Sequence, residues 1–171
     1  PFVSGTLAAL LSEDPDGAPE NAVRLLKAQL NEAGAPGIDA SYGGGLVDWD
    51  RLRERETSDL RDLAVAAIHM ELESQPGTRV PVKVVVQNRG TTWIPEAQLT
   101  VVQAGEATEE FLITSLAPGA IAERTVYRYL PSAGVDAIVE MGAWVALEDG
   151  TADRRPENNT RFIRFTPAKI D

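Results

Sequence analysis

The chain has no cysteine, a single histidine and only three lysines, at 27, 83 and 169, among 171 residues. Without cysteine there are no disulfides, no thiolate nucleophile and no cysteine-ligated zinc, while the compartment stays open because exported bacterial proteins often lack cysteine too. The lone His69 has no second imidazole with which to share a metal. Positive charge is scarce overall: 16 Lys and Arg stand against 26 Asp and Glu, a formal net charge of −10. That balance disfavours nucleic acid or an anionic membrane as a partner. No apolar run approaches the ~20 residues of a membrane-spanning helix, so membrane insertion is not expected.

What is present is dominated by alternation. In the stretch 79–90, RVPVKVVVQNRG, Val80, Val82, Val84 and Val86 fall on one face of a strand. Pro81, Lys83 and Gln87 fall on the other, with Val85 the apolar exception, which is the period-2 signature of a half-buried antiparallel strand. Asn88-Arg89-Gly90 then supplies residues that tolerate turn geometry. Similar runs at roughly 63–72, 97–104, 108–114, 121–130, 137–147 and 159–166 bring the strand count to seven. Turn signals lie between them at Gln75-Pro76-Gly77, Gly105, Ala117-Pro118-Gly119, 131–134 and Glu148-Asp149-Gly150. Seven short strands with no intervening helix predict a mainly β fold, a seven-stranded immunoglobulin-like antiparallel β-sandwich. The sixth strand, with Ala137, Val139, Met141, Ala143, Val145 and Leu147 on one face, is the natural companion of the second. The fifth, with Glu123, Arg124 and Arg128 among its apolar residues, reads as an edge guarded by charge.

The first third differs in character. Residues 2–11 form a helix apolar around most of its circumference, a kind that is normally covered on most sides, so the segment is expected to belong inside a larger structure. Pro19 and Glu20 suit the start of a second helix, in which Ala22, Leu25, Leu26, Leu30 and Ala33 recur at helical spacing before Gly34 closes it. Asp48 is placed to cap a short third helix over 49–55, with Leu46, Val47 and Leu52 pinning it to the second. The polar run 53–59 marks the domain boundary, giving a helical unit at 1–56 and a sandwich at 59–167.

Candidate chemistry is sparse. His69, between Ile68 and Met70, reads as a sheet-surface or core-edge histidine. Gly43-Gly44-Gly45 lacks the Gly-Lys-Ser/Thr that a phosphate loop requires, and reads as a tight turn. The acidic loop Glu148-Asp149-Gly150-Thr151-Ala152-Asp153, with Glu157 beyond, is the one place with enough oxygens for calcium. It lacks the spacing of an EF-hand, and Arg154 and Arg155 compete for its carboxylates. Asp14, Asp16, Asp39, Asp48 and Asp50 read as caps and solvated loop residues. Trp93 and Trp144 read as packing or rim residues, with a binding patch as the alternative. Asn158-Asn159-Thr160 satisfies the glycosylation rule, which matters only in a glycosylating cell. No catalytic residue, cofactor-binding residue or defined metal ligand emerges from these residues.

Two resemblances give the parts a context. Pro1, Val3 and Gly5, followed by an Ala/Leu run, resemble the segment after the catalytic serine of subtilisin-like serine proteases, with Phe2 in place of the usual histidine. The helix 20–30 and Tyr42-Gly43-Gly44-Gly45-Leu46-Val47-Asp48 are similar to that family's later helix and closing motif. The resemblance implies the C-terminal helical part of an α/β subtilase catalytic domain. It carries no catalytic residue here: the family's serine and its other two triad members would all lie before Pro1, and His69 is not the family's histidine. Residues 59–167 resemble CARDB-like β-sandwich modules of bacterial secreted and surface proteins, through Asp62-Leu63-Ala64-Val65, the stretch 84–90, Leu116-Ala117-Pro118-Gly119 and Glu157-Asn158-Asn159. Together they imply a structural or accessory portion of a secreted or cell-envelope serine endopeptidase, not catalytic by itself. Its expected partner is the chain or domain carrying the rest of the subtilisin-like fold, with protein substrates as further partners of the parent. A protein- or glycan-binding adhesion module, acting through the loops around Trp93 and 149–157, is the alternative.

Overall fold

A computed structural model describes residues 1–70, 77–131 and 138–165. Three helices, α1 (Phe2–Glu13), α2 (Pro19–Ala28) and α3 (Trp49–Glu54), precede seven strands. The strands are β1 (Leu63–Met70), β2 (Thr78–Asn88), β3 (Ile94–Gln103), β4 (Glu109–Leu116), β5 (Ile121–Leu130), β6 (Val139–Leu147) and β7 (Thr160–Phe165). They form two antiparallel sheets, of order β1-β2-β5 and β4-β3-β6-β7. The expected seven strands and their two-sheet arrangement are therefore present. β6 accompanies β2 as a member of the opposite sheet, where it pairs with β3 and β7.

The valine stripe faces the core as its alternation requires. Val80, Val82, Val84 and Val86 are all buried, in one cluster with Leu99 and Val101 of β3 and with Val139, Met141, Ala143 and Val145 of β6. The sixth strand's expected member Ala137 lies outside the described residues. β5 is an edge, as its charges suggested. Arg128, however, turns inward: it is 3% exposed and pairs with Glu109 of β4, bridging the two sheets where their open edges meet. An inward-pointing charge of this kind discourages a further strand from pairing there.

Two expectations need correction. α2 ends at Ala28 rather than near Gly34, because Asn31 leaves the helical path to pair its backbone in both directions with Leu46. Gly45 makes that bridge possible, since a Cβ there would lie 2.4 Å from the Asn31 carbonyl oxygen. The outer face of β2 is also less solvated than its polar residues imply: Val85 is fully buried with Ala66 and Ala67, and Gln87 is only 3% exposed. The third helix begins and ends close to expectation, with Asp48 accepting from the Asp50 and Arg51 amides. Leu52 is buried with Leu10, Ala22 and Leu26, so the three helices share a small core of their own.

One close approach is checkable. A Cβ at Gly90 would stand 2.3 Å from the Leu60 carbonyl oxygen and 2.9 Å from the Asp62 nitrogen. Backbone cannot retreat as a flexible side chain can, so Gly90→Ala should lower stability by about 1–3 kcal/mol. Gly5→Ala, in α1 with open space around it, serves as the control and should be neutral or stabilising by up to ~1 kcal/mol. Thermal melts of the two variants test the difference.

Candidate functional site

The helical segment is fastened to the sandwich by buried polar groups. Arg51 of α3 is 2% exposed and donates to the carbonyls of Leu30 (2.6 Å) and Arg89 (3.1 Å) and to Asn31 Oδ1 (3.2 Å). Burial pulls its guanidinium pKa down to about 10. Gln87 answers from the sheet, donating through Nε2 to Leu30 O (3.0 Å) while its Oε1 accepts from the Glu32 amide (2.9 Å). Residues 30–32 thus reach the outer face of β2 at Gln87, which explains why that side chain is covered, while Val85 is buried among Ala66 and Ala67.

At the end of the sandwich where β1 starts, a second network forms. Arg155 donates to Asp62 Oδ2 and Glu54 Oε2, each at 2.8 Å, and Asn158 Nδ2 donates to Asp62 Oδ1 at 2.9 Å. Asp153 accepts from the Leu63 amide at 2.8 Å, and burial pushes its carboxyl pKa up. Arg154 also pairs with Glu54, whose pKa it holds down. The loop singled out for calcium is therefore organised by arginines. Asp149 is bound by Thr151 and by Arg61, and these contacts hold its carboxyl at about 2 against an ordinary 3.8. Among the described residues, no three His, Cys, Asp or Glu side chains gather where they could hold a metal ion. Because the folded pKa is depressed, the Asp149 contacts contribute stability above the ordinary value, and this is lost as pH falls toward about 2. An NMR titration of the Asp149 carboxyl should show its midpoint near the lower figure.

Beside the Gln87 seam lies a groove of about 500 Å³ between residues 31–46 and the β1 edge, within the usual size of a small-ligand site. It gathers Glu32, Tyr42, His69, Arg89 and Arg161, which sequence reasoning did not bring together. Arg89 donates Nε to Gln87 Oε1 (3.2 Å) and Arg161 donates Nη1 to Ala66 O (2.8 Å). Burial lowers the Arg89 pKa, and Arg161 is one of the neighbouring charges acting in the same sense. Glu32 is 7% exposed, and its Oε1 has no hydrogen-bond partner. Burial raises its pKa against the opposing amides of Gly37 and Ala33. His69 sits at the groove and lies near enough to Asp39 to help hold that carboxyl down, an effect dominated by the Tyr42 amide.

Other candidates fall elsewhere. The glycine run makes a turn in which Asp39 and Gly43 pair through their backbones. Asp48 caps α3 and accepts from Asn31 at 2.7 Å, while Asp14 and Asp16 are exposed. Trp93 and Trp144 are 51% and 38% exposed, at the rim rather than in the core. Asn158 is committed to Asp62. The groove's residues come from four separate stretches, so no spacing rule could have united them.

A family model for CARDB matches residues 60–159, more than half of the chain. The chain belongs to the CARDB family. Among solved structures, the crystal structure of a CARDB domain from Pyrococcus furiosus, in complex with di-metal ions, is 19% identical, with a TM-score of 0.53 over 63% of this chain and 89% of that one. The solution structure of the same archaeal domain gives 20% identity and a TM-score of 0.51 over 63% and 94%. A domain of a Methanosarcina acetivorans protein, described as a candidate cell surface protein, gives 15% and 0.48 over 65% and 95%. Curated proteins yield no match. At these identities the CARDB structures speak for the fold. No helix among the described residues is long and apolar enough to cross a membrane.

Proposed function

We propose that this CARDB sandwich is the accessory C-terminal portion of a secreted or cell-envelope subtilisin-like serine endopeptidase. In this reading residues 1–56 are the end of the catalytic domain, and the chain has no catalytic residues of its own. The observation that carries the reading is the state of α1. Phe2 is 81% exposed, Val3 52% and Leu11 37%, while the helix offers no acidic residue in its first turn and no continuous polar face. Covering such side chains is worth roughly 1.5–3 kcal/mol each, and the ordered subtilase-like motifs name a cover, the sheet of a catalytic domain. The di-metal complex is said of the Pyrococcus furiosus domain alone; in this chain Asp149 of the acidic loop is paired with Arg61.

The test is hydrogen exchange with size analysis on this chain alone. Rapid exchange over 2–13, or self-association through α1, is expected. A strictly monomeric protein with those amides strongly protected would overturn the reading. The chain should also remain unlabelled by a serine-directed fluorophosphonate, and labelling at active-site rates would contradict the non-catalytic role. One observation favours the adhesion-module alternative: on the outer face of the four-stranded sheet, Phe162 is 70% exposed and packs its ring over Gly142, with Trp144 on the same face. The strand-end loop 149–157, by contrast, is engaged with Arg61, Glu54 and Asp62.

A further inference from the structure

We propose that the groove between residues 31–46 and the edge of β1 receives the C-terminal carboxylate of a peptide, with Arg89 and Arg161 holding the carboxylate and Glu32 accepting the terminal peptide N–H. Three features converge on this chemistry. First, the groove sets two arginines against one lining carboxylate, Glu32, in a chain whose formal net charge is −10. Arg89 and Arg161 are close enough to oppose each other's charge, yet among the described residues neither has a carboxylate at ion-pair distance; Arg89 donates to Gln87 Oε1 and Arg161 to the Ala66 carbonyl. The two acidic neighbours of Arg89, Asp62 and Asp48, are committed to Arg155 with Asn158 and to the start of α3 with Asn31. Guanidinium groups in this condition present planar pairs of N–H donors, the arrangement that takes a carboxylate bidentately.

Second, an acceptor is left over on the opposite wall. Glu32 is more than nine-tenths buried and its Oε1 is unpartnered, a costly state for a carboxylate unless a donor arrives. A peptide end supplies both halves of the complement, an anion and an N–H one residue apart. Simple anions supply only the first.

Third, the groove is shaped for an extended chain end. It is lined by four consecutive residues of β1, 66–69, and β1 is the outer strand of its sheet. Ala66 and Ala67 are buried as whole residues, backbone included, and His69 is the half-buried residue of this wall. Leu46 and Ile163 add an apolar wall for the last side chain.

The experiment is an NMR titration of the full chain with three probes: N-acetyl-leucine, N-acetyl-leucinamide, and N-acetyl-glutamate α-amide, which carries only a side-chain carboxylate. N-acetyl-leucine should shift the Arg89 and Arg161 side-chain Nε–Hε signals and the amides of 66–69, saturating in the millimolar range. The leucinamide should bind at least tenfold more weakly, and the glutamate probe more weakly than N-acetyl-leucine. Arg161→Gln, which shortens an exposed side chain and gives up its bond to the Ala66 carbonyl, should weaken N-acetyl-leucine at least fivefold while amides distant from the groove stay unchanged. Glu32→Ala, which removes the acceptor oxygens altogether, should also weaken it. The proposal is overturned if the amide matches the acid, if no groove signal moves, or if Arg161→Gln binds as the parent does. An equal response to the glutamate probe overturns the assignment to a chain end.

Discussion

Val84→Asp is expected to leave the sandwich unfolded at room temperature, whereas Lys83→Asp, one residue away, should melt within about 1 kcal/mol of the parent. Val84 is completely buried in the inter-sheet core and stands opposite Ile68 of β1 and Arg124 of β5 in register. Replacing it removes apolar burial worth roughly 1.5–3 kcal/mol and places a carboxylate in the inter-sheet core, where the one cation in register, Arg124, is already donating to the Glu123 and Leu112 carbonyls. An unpaired charge there costs several kcal/mol more, whether it stays ionised or takes up a proton. Together these approach the ~5–15 kcal/mol of a typical domain. Lys83 points the other way, and its contact with Glu123, at 3.6 Å between side chains about one-third exposed, is a surface ion pair of small value. Circular dichroism melts of both variants check the register: a Lys83→Asp variant melting as low as Val84→Asp, or lower, would mean that the register is wrong.

The sandwich was legible because its information is local. A stripe such as 80, 82, 84, 86 encodes both conformation and orientation within a few residues, and all seven strands followed from such stripes and the turns between them. What was not legible depends on partners far away in sequence. Gln87 reads as a solvated strand residue until Glu32 and Leu30 arrive to bond with it across 55 and 57 positions. Leu30 and Ala33 keep helical spacing, yet the Asn31–Leu46 bridge takes the chain out of the helix there. Arg128 looks like an edge guard on the surface and is instead drawn inward by Glu109 from the other sheet. The polar run 53–59 suggested a spacer, because sequence shows the charge of Glu54 but not the two arginines at 154 and 155 that bind it. The groove is the extreme case: its arginines lie 72 positions apart by number, and each alone resembles an ordinary surface residue.

Arg155→Ala should be the most damaging substitution outside the hydrophobic core. Asp62 has no exposed side-chain surface, and among the described side chains its carboxylate accepts hydrogen bonds from Arg155 and Asn158. Removing the guanidinium leaves a buried anion with one amide donor, and breaking a buried pair from one side costs about 3–5 kcal/mol. Glu54 of α3 loses a partner in the same step, so the loss should be felt in the helical segment as well as at the start of β1. Two comparisons separate this account from a general effect of deleting an arginine. Arg154→Ala removes a neighbour that binds the same Glu54 from a 57% exposed position, and it should leave the melting temperature nearly unchanged. Arg155→Ala combined with Asp62→Ala removes the stranded charge together with its partner, and should be more stable than Arg155→Ala alone. Urea unfolding followed by both tryptophan fluorescence and circular dichroism supplies the measurement. If Arg155→Ala and Arg154→Ala proved equally mild, the Asp62 pair would be contributing no more than a surface ion pair, and the fastening of the helices to the sandwich would have to rest on Arg51 and Gln87 instead.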